Sequence, residues 1–542
     1  MKKILSQNVS EKFVSVAEVA TILTLAIVPL FVTYPFRINI FLSWEGAYRM
    51  YLGQIPYKDF GIPLGYAYWM LPALFFKLFG PYLASLVKAQ VLINVISGFA
   101  FRSILKSVKI DYAVRFIGVF IFVVSYSFQN FWPWYNHTVI VFELVGMAFL
   151  LLAFNASVYW RKAVLVLFSC LFLVLSLLTK QDGGFFAILI ALVLVIYEVA
   201  LFRDGKLAIT VFISFLLAVA ILIGPFIQYD FLYWFNYGQE PHYGRVSILD
   251  IISEFFDKSL FLKFYLFLFA ILILNRVHSK KFSWNNREYI YLLIISMGIL
   301  GQAIVLQVTS YTPPDGNLYF HSFALVFILT NVTPPSVLSK AYVLVLSLIF
   351  VLFWWSGTYW KYTNRIVSRL ATNKTSHKSD PKKIISINTY KLEFDSTALD
   401  QSNWQLSNFE SFGKVYMPKE TIDGINRLKS MKLFNTDGYT PRVLNMSELT
   451  PLAHELGFEL EAGLPLWYHL NVAMFDKELA FFNGRVKEGY YDLVLFEIIP
   501  NLNNFYPNEL RIELKNNYEL IDTFQAPRRK TTEIIEVYRK RI

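Results

Sequence analysis

The chain has 542 residues, of which 56% are hydrophobic and only 16% charged, against roughly 45–50% and ~25% in ordinary globular chains. It carries a net charge of +11 and a single cysteine, Cys170. These figures exclude a disordered chain, a disulfide scaffold, a cysteine-rich metal site and a plain cytosolic enzyme.

Charge divides the chain in two. Residues 1–360 hold 25 Lys/Arg and 16 Asp/Glu, about 11% charged, while 361–542 hold 25 and 23, about 26%. The first part has a membrane composition and the second a water-soluble one. A helix needs about 20 mostly apolar residues to cross ~30 Å of hydrocarbon. Eleven such stretches follow one another at 13–33, 83–105, 113–129, 138–157, 163–179, 184–202, 207–227, 259–275, 289–308, 318–332 and 339–358. The first is as long as a full span and lacks a small-residue cleavage site, so it reads as an anchor, not a signal peptide. The expected organisation is a polytopic α-helical membrane domain over 1–360, a polar linker at 361–380, and an α/β domain over 381–542.

Basic residues occupy alternate connections. Lys2, Lys3 and Lys12 precede the first span; Lys106, Lys109 and Arg115 lie at the junction of the second and third; Arg161 and Lys162 between the fourth and fifth. Arg203 and Lys206 follow the sixth, and Arg276, Lys280, Lys281 and Arg287 follow the eighth. Cytoplasmic loops are the Lys/Arg-rich ones, so the expected N-terminus is cytoplasmic and the C-terminal domain extracytoplasmic. The basic surplus is thereby explained by topology, without a nucleic-acid partner.

The longest outer connections are then 34–82 and 228–258. The first contains Trp44-Glu45-Gly46-Ala47-Tyr48, then Gly53-Gln54-Ile55-Pro56-Tyr57-Lys58-Asp59-Phe60, then Pro63-Leu64 and an aromatic stretch from Gly65 to Gly80 that reads as an interfacial helix. Asp59-Phe60-Gly61 lacks the other protein-kinase signatures and does not indicate a kinase.

An acidic residue followed by Gly-x-Tyr, then Gly-x-x-Pro-Tyr-basic-Asp-Phe, then Pro-Leu and an interfacial helix ending Leu-Phe-Gly resembles the GT-C glycosyltransferases. The nearest branches are those of the protein O-mannosyltransferases and the lipid A aminoarabinose transferase. The resemblance is densest over 40–105 and thins to topology and scattered residues by about 360. It implies transfer of a sugar from a polyprenyl-phosphate carrier to a lipid, glycan or protein acceptor at the outer membrane face, with an essential first-loop carboxylate. A carboxylate can take the proton of an acceptor hydroxyl, and a lipid phosphate leaving group needs chiefly cations and hydrogen-bond donors. Glu45 is the candidate base. Family members often have an Asp-Glu pair here, whereas this chain has Trp44 before Glu45, which leaves open a residue that compensates. Asp59 is the second carboxylate, orienting the acceptor or binding a divalent cation such as Mg or Mn through oxygen.

The remaining candidates lie at outer helix ends. Lys58 and Lys180, the latter in Lys180-Gln181-Asp182-Gly183-Gly184, are expected at the donor phosphate, with Arg245 and His321. For Lys180, snorkelling to the headgroups is an equal alternative. Tyr57, Trp134, His137, Glu240, His242 and Tyr319 are expected at the acceptor or sugar. Glu143 falls inside the fourth span, where an ionisable group faces a cavity or a partner. In the C-terminal domain strands are expected at 384–394, 442–444, 491–499, 518–524 and 533–538 and helices at 418–431, 447–456 and 508–517. It shows no phosphate loop, triad or metal cluster and is assigned acceptor recognition or a capping role. The expected location is the bacterial inner membrane. Two other classes fit a polytopic chain: a transporter or flippase of lipid-linked sugars, which would show repeated halves and broken midplane helices, and a non-catalytic scaffold, which has no need of the 45–64 segment.

Overall fold

A computed structural model describes residues 8–36, 40–127, 130–235, 247–309, 319–354, 356–357, 360, 403–499, 505–527 and 533–541. Each of the eleven expected spans falls on a helix. Eight are long and apolar enough to cross a membrane, counting the 3-10 turns that extend two of them: Glu11–Phe31, Leu83–Ser107, Tyr135–Phe154, Tyr159–Leu177, Gln181–Phe202, Gly205–Phe226, Leu260–His278 and Arg287–Thr309. The other three, Tyr112–Ser127, Tyr319–Val332 and Ala341–Trp354, are shorter. The outward faces of these eleven helices carry apolar side chains: Phe212, Leu274 and Phe350 are each more than 60% exposed, as lipid-facing side chains are. The chain is a polytopic helical membrane protein carrying a second part built of strands and helices.

Two buried glutamates inside the bundle meet partners on other helices, one of them through cations. Glu18, fully buried, binds Arg102 at 2.6 Å and Arg115 at 2.7 Å and ties three helices together. Glu143 accepts from Gln302 Nε2 at 2.7 Å, and the same amide group donates to the Gly183 carbonyl at 3.0 Å. One glutamine thus links the helices whose ends carry Tyr135, Lys180 and Thr309.

The long first connection folds over one end of the bundle, here called the head. It contains the helix Ile40–Tyr51 and the aromatic helix Ala67–Phe79, the latter where the interfacial helix is expected. Between them the chain runs against the end of another helix: Ala67 N donates to the Leu178 carbonyl at 3.0 Å. A Cβ on Gly65 would lie 1.5 Å from that same carbonyl oxygen, so only glycine allows this approach.

The second part attaches to the head through strand pairing. Its main sheet joins β5 (Val443–Met446), β7 (Leu493–Ile498), β9 (Ile534–Lys540) and β8 (Tyr518–Gln525) in that order, β5 parallel to β7 and the others antiparallel. The strand expected from the apolar run at 491–499 is β7, whose first five residues are buried. Two short strands of the first connection pair with this part: β1 (Tyr34–Pro35) runs parallel to β4 (Val415–Pro418), which also pairs β3 (Trp404–Leu406), and β2 (Phe60–Gly61) runs parallel to β6 (Leu464–Pro465). The helix expected at 447–456 begins only at Leu452, because Asn445, Ser447 and Leu449 close a side-chain-bonded turn ahead of Pro451. The helix Asp476–Lys487, with Glu478 capping its start, was not expected, its helical pattern being broken by Asn483-Gly484. The expected linker at 361–380 and strand at 384–394 lie outside the described residues.

Candidate functional site

At the junction of the two parts is a cavity of about 250 Å³, lined by Pro63, Leu64, Tyr135, Lys180, Gln181, Asp182, Thr309, Trp467, Asn471 and Val472. Five segments converge there. The Gly65 crossing places Pro63 and Leu64 against the turn after Leu178. That turn presents Lys180 as the cap of the helix Gln181–Phe202, Tyr135 opens another helix, and Thr309 ends a third. The roof comes from the second part, because β6 lies directly ahead of Trp467. Asn471 holds a left-handed backbone, φ +63°, a conformation asparagine adopts more readily than other non-glycine residues.

The charged wall of this cavity is an ion pair. Lys180 Nζ lies 2.6 Å from Asp182 Oδ2 and 3.2 Å from Thr309 Oγ1, and Asp182 Oδ1 accepts from the Gly183 amide at 2.7 Å. Both side chains are only 7% exposed. Burial pulls the Lys180 pKa below its ordinary value, with Asp182 opposing. Lys180 was expected at the donor phosphate, and Tyr135, with Trp132 and Trp134, as a sugar contact; Asp182, Thr309, Trp467 and Asn471 were not singled out.

Glu45 stands elsewhere. It lies in the helix Ile40–Tyr51, 3% exposed, with Arg49 Nε 3.0 Å from its Oε1. Arg49 also donates to Gln54 Oε1 and to the Glu461 carbonyl, each at 2.9 Å. Burial raises the Glu45 pKa and the Arg49 guanidinium opposes the rise. The space beside it, against Asn445, Thr450 and Tyr468, is about 10 Å³, about enough for one water. Trp44, at the position where the resembled family often has aspartate, is fully buried and its indole donates to the Pro81 carbonyl at 2.9 Å. Asp59 accepts from the Ile55 amide at 2.8 Å and so closes its own turn, while its carbonyl receives Gly463 N. No group of three or more His, Cys, Asp or Glu among the described residues is placed to hold a metal ion.

The other expected residues are scattered. Lys58 lines a separate cavity of about 100 Å³ with Lys477, Asp230 and Tyr233. Tyr57 is buried, its hydroxyl donating to the Leu64 carbonyl at 3.1 Å. Trp134 precedes the helix that begins at Tyr135. His137 lies within the bundle, 3.4 Å from Gln90 Nε2, and His321 Nδ1 lies 2.7 Å from the Tyr265 hydroxyl. Tyr319 opens its helix, whereas Glu240, His242 and Arg245 lie outside the described residues. Lys180-Asp182 had a sequence signal, opposite charges two residues apart at a helix start. Trp467 and Asn471 had none, because their neighbours are separated from them by hundreds of residues.

No protein-family model matches the sequence, and no curated protein matches it significantly. Among solved structures, ArnT from Cupriavidus metallidurans bound to undecaprenyl phosphate is similar with a TM-score of 0.53 at 12% identity, over 96% of this chain and 97% of that one. Its apo form gives 0.52 at 11% identity over the same shares. An oligosaccharyltransferase from Archaeoglobus fulgidus, solved with zinc and sulfate, gives 0.44 at 12% identity over 89% of this chain and 68% of that one. Over nearly its whole length the chain therefore has the fold of ArnT.

Proposed function

We propose that the protein is an inverting glycosyltransferase that moves a sugar from a polyprenyl-phosphate carrier to a lipid, glycan or protein acceptor. The observation that carries this reading is the cavity at the head: a buried lysine-aspartate pair under a tryptophan roof, at the junction of membrane and soluble parts of a fold shared with a protein crystallised with undecaprenyl phosphate. The alternation of Lys/Arg-rich loops supports a head facing the outside of a bacterial inner membrane, with the N-terminus cytoplasmic.

In this reading Lys180 receives the donor phosphate and stabilises the charge that grows on it as the glycosidic bond breaks. Asn471 and the faces of Tyr135 and Trp467 meet the sugar or the acceptor, apolar ring faces and polar groups together being what a sugar presents. Glu45 and Asp59, nominated for catalysis by the sequence, are better suited by their partners to hold the roof. Glu45 anchors Arg49, which reaches Glu461, and Asp59 shapes the loop that receives Gly463.

The test is transfer of radiolabelled sugar from a panel of polyprenyl-phosphate sugars by the purified chain in lipid, alongside Lys180→Met. Turnover in the wild type with a KM for donor raised at least tenfold in the variant is expected. Saturable donor binding without transfer to any acceptor or to water would refute the enzyme reading and favour a carrier.

A further inference from the structure

The Lys180-Asp182 pair presents a chemical problem. An ammonium 2.6 Å from a carboxylate oxygen neutralises it, yet glycosyl transfer wants the two groups apart, the cation on the departing phosphate and the carboxylate on the acceptor. The two carboxylate oxygens are held differently. Oδ1 is fixed by the backbone amide of Gly183, while Oδ2 faces Lys180. Lysine is a point charge on a flexible stem with three donors, so an entering phosphate can draw it away without moving the helix. The Thr309 hydroxyl also bonds this carboxylate, so Oδ2 would then lose its cation in a carboxylate still aimed by Thr309 and the Gly183 amide.

We propose that Asp182 is the general base of the transfer, and that the donor phosphate unmasks it by taking Lys180; the proposal rests on the glycosyltransferase reading above. The acceptor hydroxyl attacks the anomeric carbon from the face opposite the phosphate, and the new carbon–oxygen bond forms as the bond from that carbon to the phosphate oxygen breaks. The bonding pair leaves with the phosphate, which carries the added negative charge beside Lys180. The acceptor proton passes to Asp182 Oδ2 and from there to water when the product leaves. Moving the ammonium from carboxylate to phosphate strengthens the base in step with donor binding, since a nearby cation is what holds a carboxylate weakly basic. An empty site keeps its carboxylate masked, which disfavours hydrolysis without a correctly seated donor. Among the other carboxylates, Glu45 is held by Arg49 beside space for about one water, too little for a sugar ring. Asp59 is committed to its turn.

Full-length wild type, Asp182→Asn, Asp182→Glu and Glu45→Gln in lipid nanodiscs would be compared for binding of a polyprenyl-phosphate sugar and, separately, for transfer as a function of pH. Asp182→Asn is expected to bind donor at least as tightly as wild type, Lys180 being released, while kcat falls about 100-fold or more and the acidic limb of the pH profile disappears. Asp182→Glu should recover part of the rate, and Glu45→Gln should keep the wild-type pH profile. Wild-type kcat in Asp182→Asn overturns the proposal alone, as does a loss of donor affinity that accounts for the whole defect, since Asp182 would then only position Lys180. A wild type that turns over no polyprenyl-phosphate sugar overturns the function itself and the proposal with it.

Discussion

Replacing Arg49 by methionine tests how the two parts are joined. The guanidinium holds the Glu45 carboxylate at 3.0 Å, the Gln54 side chain and the Glu461 carbonyl, and its side chain is 2% exposed. Methionine fills most of the volume but leaves a buried carboxylate without its cation, an operation that costs about 3–5 kcal/mol. Each 1.4 kcal/mol is tenfold in an equilibrium, so opening of the interface should become roughly two to more than three orders of magnitude easier. The readout is amide hydrogen exchange at Gly463 and Leu466, whose N–H groups cross the interface to the Asp59 and Gly61 carbonyls. The sign with pH follows from Glu45. Burial already raises its pKa and Arg49 is what opposes that rise, so removing Arg49 raises it further. A carboxylate with a raised folded-state pKa favours the folded state once protonated and loses that contribution as pH rises through the folded value. The defect of Arg49→Met should therefore be largest near neutral pH and shrink on acidification, and Glu45→Gln in the same chain should remove most of it and its pH dependence. Exchange rates at Gly463 and Leu466 within threefold of wild type, or a defect that grows on acidification, would refute the latch.

Three further outcomes are expected. Gly65→Ala drives a Cβ into the Leu178 carbonyl, so the head cannot close on the bundle; the yield of monodisperse protein should collapse, and normal thermal stability would contradict the close approach. Trp467→Ala removes part of the cavity roof and should raise the KM of donor sugar or acceptor about tenfold, as measured by two-substrate kinetics. Glu18→Gln takes the shared charge from Arg102 and Arg115, at a cost of about 3–5 kcal/mol. It should lower the thermal midpoint clearly while the kcat of the surviving folded fraction stays as in wild type, being remote from the head.

Residues acting through their immediate neighbours were legible in the chain. Apolar stretches long enough to span a bilayer must form helices, because hydrocarbon offers the backbone no other partner, and all eleven lie on helices. The aromatic segment after Pro63-Leu64 is the helix Ala67–Phe79, and the apolar run at 491–499 is the buried strand β7. Lys180 stood out as a cation at a helix start, and it lines the cavity.

Tertiary structure decided which of the conspicuous polar residues meet. Glu45, Lys58 and Lys180 appear in the sequence as one outer-face set, yet the fold puts them in three separate spaces. Arg49 is four residues from Glu45, one helical turn, and so shares its face; that an ion pair there would be buried beneath Glu461 depends on a partner 412 positions away. β6 pairs with β2 across some four hundred residues through backbone hydrogen bonds, which carry no side-chain signature. That pairing delivers Trp467 and Asn471 to the cavity. Local composition dictates where a chain must be helical or apolar, because those demands are met within a few residues. A site assembled from a lipid-embedded helix start and a remote loop is fixed only when the chain closes on itself, because the burial and distances that give its charges their chemistry exist only then.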